Sequence, residues 1–307
     1  DMYKNLNAES LGVSGRQSEL IELALTYGFK GFDIDIPVFC KQAQLRGEEH
    51  AGRFIQSAAI KIGPLQLPVD WQVPDETFHE YLSELEVIAK TASAVGVTGC
   101  HTVVMAGSDE LPYHENFEFH RRRFTEIADT LAPHSIQLGL DFQATKQERD
   151  GFRHSFIHTP DALITLAKTV GVANVGVTID IWKWHVSGGN IEQLREVNVD
   201  DIVLVRLADV PSGIDLESVD VDQRLLPGAG EGSCVSAIEI LEELGYKGPV
   251  TPYAHASQLN GGTRDVIVRE AAESIDKVRL AGQPSEEEVA QESLGEELVA
   301  ASTGEDA

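Results

Sequence analysis

Cysteine, methionine and basic residues are scarce in this chain: 3 Cys, 2 Met and 24 Lys plus Arg in 307 residues. Cys40, Cys100 and Cys234 are odd in number and lack the close spacing of a metal site or a disulfide framework, so reduced thiols are expected. No apolar run approaches the ~18 residues of a membrane span, and Asp1-Met-Tyr-Lys4 has no apolar core of a secretory leader. The basic residues face 50 Asp and Glu, a formal net charge of -26. A field of that sign repels nucleic acid and anionic membranes, so neither is expected as a partner. A soluble, cytoplasmic protein is the expectation, and homo-oligomerisation stays open. The stretch 283–307 holds Glu286, Glu287, Glu288, Glu292, Glu296, Glu297, Glu305 and Asp306 and no basic residue. It reads as an acidic tail, either a solvated helix fragment or disordered, which leaves 1–282 as the folded domain.

What is present is a repeated joint. Gly28-Phe-Lys-Gly31, Gly96-Val-Thr-Gly99, Gly171-Val-Ala-Asn174 and Gly245-Tyr-Lys-Gly248 each end a helical stretch with a glycine and open an apolar run shortly afterwards. Glycine takes the left-handed conformation that stops a helix, and the β-branched run then enters a sheet. The distances between joints allow two strand-helix units each, so eight units are expected. The strands are placed at Ser10 to Val13, Gly31 to Ile36, Ile60 to Leu67, Thr98 to Met105, Ile136 to Phe142, Val175 to Asp180, Ile202 to Leu207 and Pro249 to Tyr253. Nearly continuous apolar strands alternating with helical periodicity describe a parallel sheet covered on both faces. In a chain of this size the simplest closure is a (β/α)8 TIM barrel. The rival, an open doubly wound sheet, lacks its glycine-rich phosphate fingerprint after the first strand.

Active sites of such barrels lie at the C-terminal strand ends. The polar residues there are Asp33 and Asp35, His101, Asp141, Asp180, Arg206 and Asp209, and Tyr253 with His255. A charge that closes an apolar run is half-buried and has to be paired or bound. The three consecutive arginines 121–123 fan around a helix and read as a solvated face pairing Glu118 or Glu126, not as a phosphate site.

Ile136-Gln-Leu-Gly-Leu-Asp-Phe142, Asn174-Val-Gly-Val-Thr-Ile-Asp-Ile-Trp-Lys-Trp-His185, Val203-Leu-Val-Arg-Leu-Ala-Asp209, Leu226-Pro-Gly-Ala-Gly-Glu-Gly232 and Gly245-Tyr-Lys-Gly-Pro-Val250 follow one another in order. Together they resemble the sugar phosphate isomerase/epimerase family, the xylose-isomerase-like barrels, over roughly residues 5 to 280. The resemblance implies a (β/α)8 barrel, proton transfer next to a sugar carbonyl, and a divalent metal such as Mn, Mg, Co or Zn. That ion is held by two Glu, one Asp and one His. Carried over residue by residue, the ligand set is degraded. Asp141 stands for a Glu, Asp180 is kept, Lys183 replaces a following His, Arg206 replaces a His, and Tyr253 replaces the last Glu.

Arg and a carboxylate-bound Lys are permanent cations and do not ligate hard ions. The expectation is therefore that the Arg206 guanidinium, helped by Lys183, occupies the seat of the metal and neutralises Asp141 and Asp180, with no cofactor required. If a metal is recruited, its ligands would be Asp141, Asp180 and His185. In the enzymatic reading, a small-molecule sugar or polyol is isomerised or epimerised. Arg206 and Lys183 act as electrophiles, Asp141 or Asp180 as base, and His185, His101 and Tyr253 as donors. Asp33 sits where the family commonly places Glu, and one of Asp33 and Asp35 is structural. In the resembled family an arginine ahead of the Pro-Gly-x-Gly loop contacts substrate, which here is Arg224. The alternative is a non-catalytic sugar or polyol binder that stacks rings such as Trp71, Trp182 and Trp184 on its ligand.

Overall fold

The computed structural model describes residues 1–283 and 286–302. Eleven strands occur among them: β1 (Tyr3–Leu6), β2 (Gly31–Phe32), β3 (Lys61–Ile62), β4 (Leu65–Gln66), β5 (Gly99–Val104), β6 (Gly107–Ser108), β7 (Gln137–Phe142), β8 (His154–Ser155), β9 (Val175–Asp180), β10 (Ile202–Leu207) and β11 (Pro249–Pro252). Nine of them form one sheet in the order β3-β2-β1-β11-β10-β9-β7-β5-β4, and every pairing in it is parallel. Because β3 and β4 lie at opposite ends of that order and are joined by only Gly63-Pro64, the sheet closes on itself. Eight barrel strands are present, the third as two pieces, and seven of them fall within or overlap the expected ranges. Proline cannot donate to a ladder, and the Cβ that any residue but glycine would add at 63 collides with the Asp33 carboxylate. The strand therefore breaks where the Asp33 side chain needs room. β6 and β8 form a separate antiparallel pair.

One strand is not where the sequence pattern places it. Ser10 to Val13 is a turn, with the Gly12 N–H donating to Glu9 O and the Val13 N–H to Ala8 O. The first strand is Tyr3–Leu6, four residues with two adjacent polar ones, Lys4 and Asn5, which give a weaker signal than the continuous apolar runs of its neighbours. The four joints do adopt the expected conformation, with φ of 83° at Gly28, 92° at Gly96, 70° at Gly171 and 74° at Gly245.

The helix Pro160–Val170 illustrates the local logic. The Thr159 hydroxyl accepts from the Ala162 N–H, proline occupies the first turn, and Gly171 stops the helix. Its buried face is Leu163, Leu166, Ala167 and Val170, the 3-4-7 spacing of an apolar stripe. At roughly 2–5 kcal/mol for truncating one such leucine, packing rather than propensity holds the helix. Between Ile202 and Leu204 the register of β10 against β9 slips by one residue, a bulge that sets Leu204 opposite Thr178 and Arg206 opposite Asp180. The bulged Val203 fits against Gly99 and Gly139, where an added Cβ would come within 2.8 Å of it.

Of the three arginines, Arg121 pairs with Glu118 as expected. Arg123 does not lie on a solvated face: it is 5% exposed, is bound to Asp75 at 2.8 Å, and stacks over Phe78 and Phe119. A guanidinium can be packed between aromatic faces, which helical spacing alone does not reveal. Within the tail, Glu286–Ser302 is a helix whose described side chains are exposed, while 284–285 and 303–307 lie outside the described residues. No helix among the described residues is long and apolar enough to cross a membrane.

His120 lies among the rings of Trp71, Phe119, Phe124 and Phe156, with Nδ1 2.7 Å from Asn116 O and Nε2 without a hydrogen-bond partner. Burial pushes its pKa from 6.5 down to about 4, with the Asn116 carbonyl only partly opposing. The neutral ring is thus the folded form, and the unfolded chain takes up the proton first as pH falls from 6.5 toward 4, so stability is lost over that window. His120→Phe is expected to remove about 2 kcal/mol of the stability difference between pH 7 and pH 4.5. Urea unfolding of both proteins at the two pH values measures it, and an unchanged difference would exclude His120 as its source.

Candidate active site

Seven strand ends converge at one mouth. Asn5 comes from β1, Asp33 follows β2, His101 is on β5, Asp141 on β7, Asp180 ends β9, Arg206 is on β10, and Thr251 and Tyr253 lie on and after β11. Arg224 reaches in from the loop beyond β10. Leu225, the next residue, is fixed by paired backbone hydrogen bonds with Asp209. The Asp209 carboxylate in turn accepts from the Gly228 and Gly230 N–H groups, so this acid orders the loop and does not touch Arg206.

Asp141 and Asp180 are both 0% exposed, so their charges must be neutralised within the protein. Lys183 is a partner as expected, but Arg224 stands in place of Arg206. The Lys183 ammonium donates to Asp141 Oδ2 at 2.6 Å, and the Phe142 N–H donates to Oδ1 at 2.8 Å. Arg224 takes Asp180 with two donors, at 2.8 and 3.3 Å. Asp180 also caps the helix Ile181–Val186 by accepting from the Lys183 N–H at 3.2 Å. Burial alone would raise the Asp180 pKa, but the charges of Arg224, Lys183 and Arg206 outweigh it and hold the carboxyl below its usual range.

Arg206, expected to neutralise both acids, forms no ion pair among the described residues although it stands opposite Asp180 in the sheet. Its guanidinium lies 4.0 Å over the Tyr253 ring, and Nη2 is 3.5 Å from His101 Nε2. Burial works against its charge, yet Tyr253, Asp141, Asp180 and Asp33 together raise its pKa, so it stays cationic. His101 is the reverse case: burial, Arg206 and Lys183 all lower its pKa well below 6.5 and keep the ring neutral.

Asp33 is half-buried and receives an amide N–H from Asn5 and another from Asn7, each at 2.9 Å. Burial nevertheless raises its pKa against those two bonds and the field of Arg206. Asp35 is exposed and caps the helix Ile36–Arg46, the structural member of the pair. The two asparagines were hidden from the sequence reading by the misplaced first strand. Tyr3-Lys-Asn-Leu-Asn7 has neither strict alternation nor a continuous apolar run, so it carries little strand signal.

His185 is not brought into the cluster: among the described residues no hydrogen bond or ion pair joins its ring to the other site residues. The tryptophans do not present open faces either, being 4% (Trp71), 1% (Trp182) and 2% (Trp184) exposed. Trp182 instead donates to Gln223 O at 3.0 Å and lies under the Arg224 guanidinium, so it shapes the site from below. The donor set does not fit a divalent ion. Both oxygens of Asp141 and of Asp180 are already bound to cations or amides, His101 faces Arg206, and no group of three His, Cys, Asp or Glu among the described residues converges to hold a metal. What the arrangement offers chemically is two cations, Lys183 and Arg206, beside a raised carboxyl, Asp33.

A sequence profile of the xylose isomerase-like TIM barrel matches residues 21–278. The inosose isomerase of Halalkalibacterium halodurans is 23% identical over 217 residues, 70% of this chain and 73% of that protein. The inosose isomerase of Bacillus velezensis is 21% identical over 84% of this chain and 90% of its own length. Among solved structures, a xylose isomerase domain protein from Alicyclobacillus acidocaldarius superposes with a TM-score of 0.84 at 22% identity, covering 92% of this chain and all of that one. The IOLI protein, solved with a zinc atom bound, superposes at 0.73 and 18% identity, over 92% of this chain and 98% of its own.

The Arg224–Asp180 pair makes a direct prediction. Arg224→Met strands a buried carboxylate and is expected to cost about 3–5 kcal/mol. Adding Asp180→Leu should recover most of that loss. Chemical denaturation of the two variants tests the pairing, which is wrong if the double variant is less stable than the single.

Proposed function

Because the chain belongs to the xylose isomerase-like TIM barrel family, we propose that it isomerises or epimerises a small sugar or polyol-derived carbonyl compound, using side-chain cations where the family resemblance implies a divalent ion. The observation that carries this reading is the Lys183 ammonium, 2.6 Å from Asp141 and only partly buried, with Arg206 as a second cation at the same mouth. The inosose isomerase relatives and a structural neighbour described as D-psicose 3-epimerase in complex with D-tagatose support the reaction class.

The step follows from the groups present. Asp180 is not the base, since Arg224 occupies both of its oxygens and holds its pKa low. Asp141 is sealed between Lys183 and a backbone N–H. Asp33 remains, a carboxylate fixed by two amides and shifted toward neutrality by burial, the direction that makes a carboxylate a better base. It removes the proton from the carbon next to the carbonyl, and the C–H electron pair moves into the C–C bond. The carbonyl becomes an enediolate whose oxygen takes hydrogen bonds from Lys183 and faces the charge of Arg206. Return of that proton by Asp33 to the neighbouring carbon, with the hydroxyl proton passing to the other oxygen, gives the isomer; delivery of a proton to the opposite face by a second acid, such as solvent water, while Asp33 keeps the first, gives the epimer. Pre-placed donors of this kind are each worth about 3–4 kcal/mol of barrier in other enzymes.

Two outcomes are expected. On a panel of ketoses and inososes, activity survives exhaustive chelation within about twofold and does not rise with added Mn²⁺. Loss on chelation with recovery on metal would overturn the cation reading. Asp33→Asn lowers kcat by about 10²–10⁴, the usual contribution of a general base. Unchanged turnover in that variant moves the base elsewhere. If no member of the panel is altered while a polyol raises the melting temperature, the protein is a binder and not an enzyme.

A further inference from the structure

We infer that the substrate carries a carboxylate, and that Arg206 is the residue that binds it; the inference rests on the mouth being the substrate site described above. Three cations and three carboxylates meet there, and two of each are mutually satisfied: Lys183 with Asp141 and Arg224 with Asp180. Arg206 is left over. It is 8% exposed, forms no ion pair among the described residues, and its one side-chain hydrogen-bond neighbour is a neutral imidazole at 3.5 Å.

A guanidinium taken this far out of water costs several kcal/mol unless an anion or a set of acceptors meets it. The fields of Tyr253, Asp141, Asp180 and Asp33 keep it charged, but among the described residues none of the three acids accepts its N–H groups. The Tyr253 ring supports one flat face at 4.0 Å, which holds the plane and leaves the edge of the fork for an acceptor. A carboxylate is the planar, singly charged group that matches such a fork with two parallel hydrogen bonds.

Charge selects against phosphate. The charges of Lys183 and Arg224 are each offset by a buried acid, although Lys183 keeps N–H groups to donate, so a dianion would meet one positive charge in excess, in the field of Asp141, Asp180 and Asp33. A carboxylate on Arg206 also divides the labour of the site. It leaves the Lys183 ammonium for the oxygen that gains charge, and it seats the acidic carbon of the substrate at a fixed distance from Asp33. The class implied is a sugar acid or a short keto acid with a hydroxyl next to the carbonyl.

The test compares 2-keto-D-gluconate with D-fructose, two six-carbon ketones that differ in the carboxylate, by calorimetric titration of the full chain. The wild type is expected to bind the acid at least tenfold more tightly. In Arg206→Gln the two ligands become equal within about twofold, and Arg206→Lys retains part of the preference. Equal binding of both compounds by the wild type, which needs no variant to fold, overturns the inference. So does a preference that survives Arg206→Gln. Inorganic phosphate as competitor is expected to displace the acid only weakly; displacement at matched concentration assigns Arg206 to a phosphate ligand and overturns the carboxylate. Turnover of D-fructose without any acid preference sinks this inference while leaving the proposed reaction intact. Tight acid binding without turnover of either sugar does the opposite.

Discussion

The mouth of the barrel is governed by the need to neutralise two carboxylates that no water reaches. Asp141 and Asp180 lie on adjacent strands at 0% exposure. At an effective dielectric of 20, two unit charges 4 Å apart interact by about 4 kcal/mol, so an unpaired acid in this position would be protonated or would unfold the strand ends. The chain answers with two private cations, Lys183 from the short helix after β9 and Arg224 from the loop after β10. Asp209 holds that loop through two glycine amides. The Gly63 break beside Asp33 and the bulge at Val203 that sets Arg206 opposite Asp180 serve the same small volume.

Neutralisation by side chains differs from neutralisation by an ion in its geometry. A divalent cation draws carboxylates to a common point, whereas here each acid is satisfied separately and the third cation is left without a carboxylate contact. The mouth thus carries a guanidinium over an aromatic ring with no carboxylate on its fork among the described residues. The acidic surface of the molecule, at -26 overall, makes that inner positive charge the exception on an otherwise negative body.

Much of this was legible in the residues, and what was not has a physical reason. Helix-stopping glycines and continuous apolar runs are local signals, and they located seven of the barrel's eight strands and its closure. Strand ends could be read as a rim because the fold dictates that they meet. Pairing could not. Arg206 and Arg224 are both long side chains that reach Asp180 on paper, and only the loop anchored by Asp209 decides which one arrives. Asn5 and Asn7 were missed for a different reason: a four-residue strand with two adjacent polar residues is a weak pattern beside an apolar turn such as Leu11-Gly-Val13. His185 follows Asp180 and Lys183 on the same short helix, yet among the described residues its ring makes no hydrogen bond or ion pair with either.

Lys183 sits between two buried tryptophans on a single turn of helix, and its backbone and side chain hold acids on different strands. Any molecule that draws the ammonium away from Asp141 thereby disturbs the electric field across two indoles, one of which also lies beneath Arg224. Indole emission follows such fields, so a ligand that moves the Lys183 ammonium is expected to change the tryptophan fluorescence.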